Sequence, residues 1–218
     1  MYLTPRINIC LVFALLLLGL GCAENPGDTK FRDTFAAQYP AEMEKMSGLF
    51  NSMNNALGYF AAYDFLKQTD NAELQQEALN NLINISNRRS IGLITNEIVV
   101  VDFSWKSQGN NSYKLNLLLQ TSKPLPDDYH VFLYANFDFK HVDKLPPQYQ
   151  NRKSLDWKLK PGNYISAENG KQYLMITDDI AAADIPFDLQ TGIFRKTDKW
   201  VKIGNLVPLG WHYDFNGL

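Results

Sequence analysis

Val99-Val100-Val101-Asp102-Phe103-Ser104-Trp105, the turn Gln108-Gly109-Asn110-Asn111, and Tyr113-Lys114-Leu115-Asn116-Leu117-Leu118-Leu119-Gln120 form the stretch that decides the fold. From about Ile94 the apolar residues recur with period two. Val99, Val101, Phe103 and Trp105 alternate with Val100, Asp102 and Ser104. After the turn, Tyr113, Leu115, Leu117 and Leu119 alternate with Lys114, Asn116 and Gln120. A strand puts successive side chains on opposite faces, so this pattern predicts an antiparallel hairpin with one buried face.

Downstream, Pro124 and Pro126 close the second strand. Tyr129–Phe137 is apolar at nearly every position, as a central strand would be. Shorter strands are expected at Gln172–Thr177, Phe187–Arg195 and Trp200–Ile203, separated by polar, Pro- or Gly-containing turns. Many short strands with few helices between them indicate a β-sandwich over residues 93–218.

Upstream the period lengthens. Met43, Met46, Phe50, Met53, Leu57 and Phe60 recur at spacings of three and four, the seam of an amphipathic helix. Asp70-Asn71-Ala72-Glu73 resembles a helix N-cap with an acidic third residue, opening a second helix through Leu74, Leu79, Leu82 and Ile83. Residues 40–92 are therefore expected to form a helical hairpin joined near Lys67–Asp70. The class predicted is α+β: an N-terminal helical hairpin followed by an antiparallel β-sandwich.

The N-terminus has a different character. Arg6 precedes an apolar run from Ile7 to Gly21, broken by Asn8 and ending in small residues and Cys22. That is the layout of an export signal, too short to span a bilayer comfortably. Leu18-Gly19-Leu20-Gly21-Cys22 resembles a bacterial lipobox, although Gly19 stands where Leu is usual. The resemblance implies cleavage after residue 21 and lipidation (palmitate) of Cys22. The other cysteine, Cys10, would leave with the signal, so no internal disulfide can form. Residues 22–39, with their polar Pro26-Gly27 stretch, read as lipidated Cys plus tether. Ala23 after the Cys implies outer-membrane sorting, facing the periplasm.

The 218 residues are 45% hydrophobic and 20% charged, within the globular range, which disfavours disorder and multiple membrane spans. Lysine plus arginine number 21 against 23 acids, a net charge of −2. Without a basic excess, nucleic-acid binding is not expected.

A resemblance enters with the C-terminal half. His130-Val131-Phe132-Leu133-Tyr134, the acidic loop through Asp138, Asp143 and Pro146-Pro147, Trp157-Lys158-Leu159-Lys160-Pro161-Gly162-Asn163, and Gly192-Ile193-Phe194 occur in that order. The order is similar to the Ig-like β-sandwich module found beside bacterial membrane glycosyltransferases and in standalone envelope proteins. This chain departs from that pattern with Tyr134 in place of a frequent His and Asn163 in place of an acid. The resemblance covers about residues 95–205 and implies a non-catalytic module, with Trp157 closing one end of the sandwich and Pro161-Gly162 turning into the next strand.

Candidate chemistry is sparse. Asp138, His141 and Asp143 have metal-like spacing, but Lys140 and Lys144 interleave positive charge, so a solvated turn is expected. Asp178, Asp179 and Asp184 would be the acids of a glycan-processing hydrolase, yet adjacent acids on an extended chain point to opposite faces. G-x-S-x-G and the phosphate-loop pattern are absent from the sequence, so neither catalytic residues nor a cofactor are expected. Trp200, Trp211 and Tyr213, with Asp138, His141 and Asp143, are the candidate ligand-binding residues. The function expected is a lipid-anchored, non-catalytic interaction module of the cell envelope with a protein or glycan partner; the alternative is a glycan-binding or glycan-processing protein.

Overall fold

The structure is a computed structural model that describes residues 26–109, 112–136, 154–158, 163–167, 170–181 and 187–212. It has α+β architecture. Among the described residues, four helices come first: α1 (Pro26–Gln38), α2 (Pro40–Phe50), α3 (Ala56–Leu66) and α4 (Ala72–Arg88). Nine strands follow: β1 (Gly92–Thr95), β2 (Ile98–Gly109), β3 (Ser112–Thr121), β4 (Tyr129–Asn136), β5 (Ser154–Lys158), β6 (Asn163–Ser166), β7 (Gln172–Ala181), β8 (Phe187–Lys196) and β9 (Trp200–His212). They pair antiparallel in two sheets, ordered β1-β2-β3-β7-β6 and β5-β4-β8-β9.

The helical unit corrects three expectations. The expected tether contains α1, whose Phe31 and Phe35 have no exposed surface. Phe31 and Phe35 stack at 5.8 Å, one helical turn apart, and Phe31 meets Phe50 and Tyr59 at 6.3 and 5.2 Å. Arg32 Nη2 donates to the Phe50 carbonyl at 3.0 Å, closing the end of α2. Two aromatics four residues apart supply enough buried apolar surface to dock a helix that polar neighbours made look like a linker.

The expected hairpin of two helices is three helices over the same residues, because the seam breaks at Asn51–Asn55. Asn55 sits in the left-handed region at φ 64°, and Met53 is 53% exposed. α3 then runs back so close to α2 that a Cβ on Gly58 would stand 2.8 Å from the Phe50 Cα. The cap of α4 lies one residue beyond its expected place: Asn71 Oδ1, not Asp70, accepts from the Leu74 N–H at 3.1 Å.

The expected strands are present, with β1, β5 and β6 in addition. Gly109, at φ 77°, pairs with Ser112 to close the β2–β3 hairpin. One face assignment in β2 changes. Between Val100 and Asp102 the register shifts, so that Val100 opposes Leu119, Asp102 opposes Leu118, and Val101 is the extra residue of a bulge. Val99 and Val101 pack on the helices, whereas Phe103 and Trp105 pack between the sheets.

Two apolar cores result, one on each face of the first sheet. Between the sheets lie Leu115, Leu117, Leu119, Leu133, Leu174, Ile176 and Ile193. On the other side, Val101, Leu118, Ile165 and Tyr173 meet Leu57, Phe60, Leu74 and Leu82 of the helices. Tyr173 is fully buried there and its hydroxyl is 2.7 Å from Ser86 Oγ of α4. The order is therefore helices, first sheet, second sheet, which leaves the outer face of the second sheet uncovered by any described element. At one edge β9 comes up to β1: Gly204, at φ 68°, lies where a Cβ would be 1.9 Å from the Ile94 carbonyl oxygen.

Candidate ligand-binding face

The uncovered face is built by strand alternation. In β4, Val131 and Leu133 enter the core, so His130, Phe132 and Tyr134 point outward. Directly opposed residues of an antiparallel pair share a face. Register therefore adds Phe194 opposite His130, Lys158 opposite Phe132, and Lys202 and Trp200 opposite Phe194 and Lys196. Gly192, opposite Phe132, makes room for the Leu206 side chain of β9, whose Cδ2 lies 2.5 Å from where a Cβ would stand.

These rings touch. Phe132 lies 5.1 Å from Trp200, 5.4 Å from Phe194 and 6.1 Å from Tyr134; His130 lies 5.0 Å from Trp200. The Phe132–Tyr134 planes are within 24° of parallel, while Trp200 stands nearly perpendicular to His130 and to Phe132. Edge-to-face packing sets the positive rim of one ring against the negative face of the next, which fixes the row in place. Trp200 is 41% exposed and the other four are half-buried.

Two lysines complete the face. Lys196 Nζ lies 4.7 Å and Lys158 Nζ 5.7 Å from the Trp200 ring centroid, both within cation–π range. Burial, followed by the charges of Lys158 and Lys196, holds the His130 imidazole below its ordinary pKa; Asp128 acts in the opposite sense. Asp128 is itself ion-paired with Arg195, Nε to Oδ2 at 2.6 Å. Among the described residues, neither Lys158 nor Lys196 has a carboxylate partner. The face thus combines electron-rich rings with two ammonium groups beside Trp200: it can hold a flat ligand and an anion, and among its described residues no nucleophile stands beside a general base.

Of the residues expected to bind, Trp200 lies at this face. Trp211 is in β9, opposite Asp188, and its side chain is not among those described. Asp138, His141, Asp143, Tyr213 and Cys22 lie outside the described residues, as does Asp184. Asp178 and Asp179 occupy consecutive positions of β7, opposite Leu115 and Lys114, and so face opposite sides of the sheet. Asp179 accepts from Gln108 Nε2 at 2.9 Å. The described acids of the hydrolase reading therefore do not converge on one bond. Among the described residues there is no group of three His, Cys, Asp or Glu side chains able to hold a metal ion.

Among the described residues, two concavities lie elsewhere. One, of about 450 Å³, is at the end of the sandwich beside Thr95, Pro124 and Tyr129. The other, of about 640 Å³, lies between the α2–α3 loop and the far half of the first sheet. The polar groups on its floor bond to one another: Asn116 donates to Ser104 Oγ and accepts from Thr177 Oγ1, both at 3.0 Å.

His130, Phe132, Phe194, Lys158 and Lys196 were missed as site residues in the sequence. Their signal was alternation: His130, Phe132 and Tyr134 occupy every second place against the core residues Val131 and Leu133, and Phe194 and Lys196 continue the face on β8. Compared with known protein families, characterised proteins and solved structures, the chain matches none.

Proposed function

We propose that this chain is a lipid-anchored protein of the cell envelope whose β-sandwich is a non-catalytic binding module, and that the outer face of β5-β4-β8-β9 is its binding surface. The observation carrying the reading is the asymmetry of the two sheets. The first packs its outer face on the helices through Val101, Leu118, Ile165 and Tyr173, with a cleft left beside Ser104 and Asn116, while the second presents five aromatic rings and lysines on a face no described element covers. Aromatic side chains held rigidly at a surface bring large contact area with little entropy to lose, which suits recognition.

The strand order supports an Ig-like sandwich. β2-β3-β7-β6 against β5-β4-β8-β9 follows the order A-B-E-D against C′-C-F-G, with β1 as an added edge strand. This variant has no disulfide between its sheets; Leu117, Leu133, Ile176 and Ile193 fill the space.

In the anchored form Cys22 carries the acyl chains and the protein faces the periplasm from the outer membrane. No helix among the described residues is long and apolar enough to cross a membrane. More than one acyl chain is required for a lasting hold, in keeping with lipoprotein modification.

The test has two arms. Cells fed labelled palmitate are expected to label the protein, and Cys22→Ala to abolish the label; persistence of the label in the variant contradicts the anchor. The detergent-purified protein is expected to co-sediment with isolated envelopes, and Trp200→Ala to lower that binding about tenfold, the scale of losing one well-packed aromatic anchor. Unchanged co-sedimentation contradicts the binding face.

A further inference from the structure

Resting on that reading of the face, we propose that its ligand is an acidic polysaccharide, with sugar rings carried on the Phe132–Tyr134–Trp200 row and a carboxylate or phosphate group seated between Lys158 and Lys196.

Charge complementarity carries the choice. The chain as a whole is net negative, at −2. On the strands of this face, however, Lys158, Lys196 and Lys202 gather at the end that carries Trp200, while the acids Asp156 and Asp188 hold register positions toward the other end, opposite Tyr134 and Asn136. Two of these ammonium groups lie within 5.7 Å of the same Trp200 centroid. Both positive charges are felt at the neighbouring ring, since after burial they lower the His130 pKa, against Asp128. An anion beside Trp200 would accept hydrogen bonds from the ammonium groups, a charge-assisted arrangement stronger than a neutral one. The rings hold the lysines in readiness, because each ammonium rests near the negative face of Trp200.

The rings select a saccharide over other anions. Ring-to-ring steps of 5.1–6.1 Å along Trp200, Phe132 and Tyr134 are on the scale of successive sugar faces. Electron-rich aromatic faces attract the polarised C–H groups of a pyranose, whereas a small inorganic ion would gain nothing from the row. A membrane surface fits less well, because an interfacial surface needs apolar side chains that project into the acyl boundary. Here only Trp200 of the row is exposed, and the other rings lie half-buried in the sheet. A protein partner also fits less well, since lysine is depleted from the centres of protein interfaces.

The test titrates the detergent-purified full chain with polygalacturonate, with the neutral glucan dextran, and with vesicles of anionic lipid. Four proteins are compared: wild type, Lys158→Gln/Lys196→Gln, Trp200→Ala, and Lys45→Gln on the helical unit as a control. Polygalacturonate is expected to bind wild type, more weakly as salt rises, and the double lysine variant to lose about tenfold in affinity. Lys45→Gln is expected to bind as wild type does, and circular dichroism to show all variants folded. Dextran binding that equals polygalacturonate binding and is lost in Trp200→Ala would overturn the acidic ligand while leaving the binding face intact. Vesicle binding without polygalacturonate binding would overturn the saccharide in favour of a lipid surface. Binding of polygalacturonate that neither the lysine nor the tryptophan variant weakens would overturn both the ligand and the face.

Discussion

Asp102 is the residue on which the join between helices and sandwich turns. It has no exposed surface, yet its carboxylate accepts four hydrogen bonds. Ser52 Oγ and the Leu57 N–H (2.9 Å) reach Oδ2; the Asn54 and Phe103 N–H groups, each at 2.8 Å, reach Oδ1. It therefore caps α3 from a strand some 45 residues away in sequence, satisfying donors at a helix N-terminus that would otherwise be buried unpaired. Burial raises its pKa above the ordinary carboxylate value, and the four donors oppose that rise. With the folded pKa above the unfolded one, the group contributes most below the unfolded value near 3.8, and the contribution is lost as pH rises through the folded pKa. Asp102→Asn, whose amide nitrogen cannot accept, is expected to destabilise by about 2–3 kcal/mol in urea unfolding. The gap from wild type should narrow between pH 4 and 8, and a gap that widens with pH contradicts this account. An acid in the middle of a valine and aromatic run was visible in the sequence as an anomaly. Its four partners were not, because all but Phe103 come from the α2–α3 loop and the first turn of α3, some 45–50 residues upstream.

At the scale of elements, strand alternation was legible and its interruption was not. β3 follows the expected faces throughout, with Leu115, Leu117 and Leu119 inside the sandwich. β2 does not, because one inserted residue at Val101 exchanges the faces of everything after it. Valine suits either face here, since both are buried, so composition carried no mark of the bulge. The bulge has a structural consequence: it turns Val101 and Asp102 toward the helices together. α1 was misread for a related reason, because a short helix with two buried aromatics among polar residues resembles a linker until its docking partner is known. Phe35→Ala is expected to cost about 3–5 kcal/mol of stability, as removal of a fully buried phenylalanine does. A thermal midpoint equal to that of wild type would mean that α1 is not part of the folded unit.

For the whole molecule, the layering of helices, sheet and sheet decides which surface is free. The two-layer sandwich was legible from period two, and a helical segment from period three to four. What no local pattern encodes is that the helices fold back on one sheet and leave the other bare. That choice rests on contacts such as Ser86 with Tyr173 and Ser52 with Asp102, which are long in sequence. If Cys22 carries the anchor, only Ala23, Glu24 and Asn25 separate it from α1, a reach of about 10 Å at full extension. The module would then be held against the bilayer by its helical layer, with the aromatic sheet on another side.

The central claim is that the outer face of the second sheet is where the ligand sits. Hydroxyl-radical footprinting of the detergent-purified protein, with and without polygalacturonate, tests it most directly. Trp200, at 41% exposure, and Met53, at 53%, report on the two ends of the layered stack. The account predicts that oxidation of Trp200 falls on ligand addition while that of Met53 is unchanged. Protection of Met53 with Trp200 still fully reactive would contradict it.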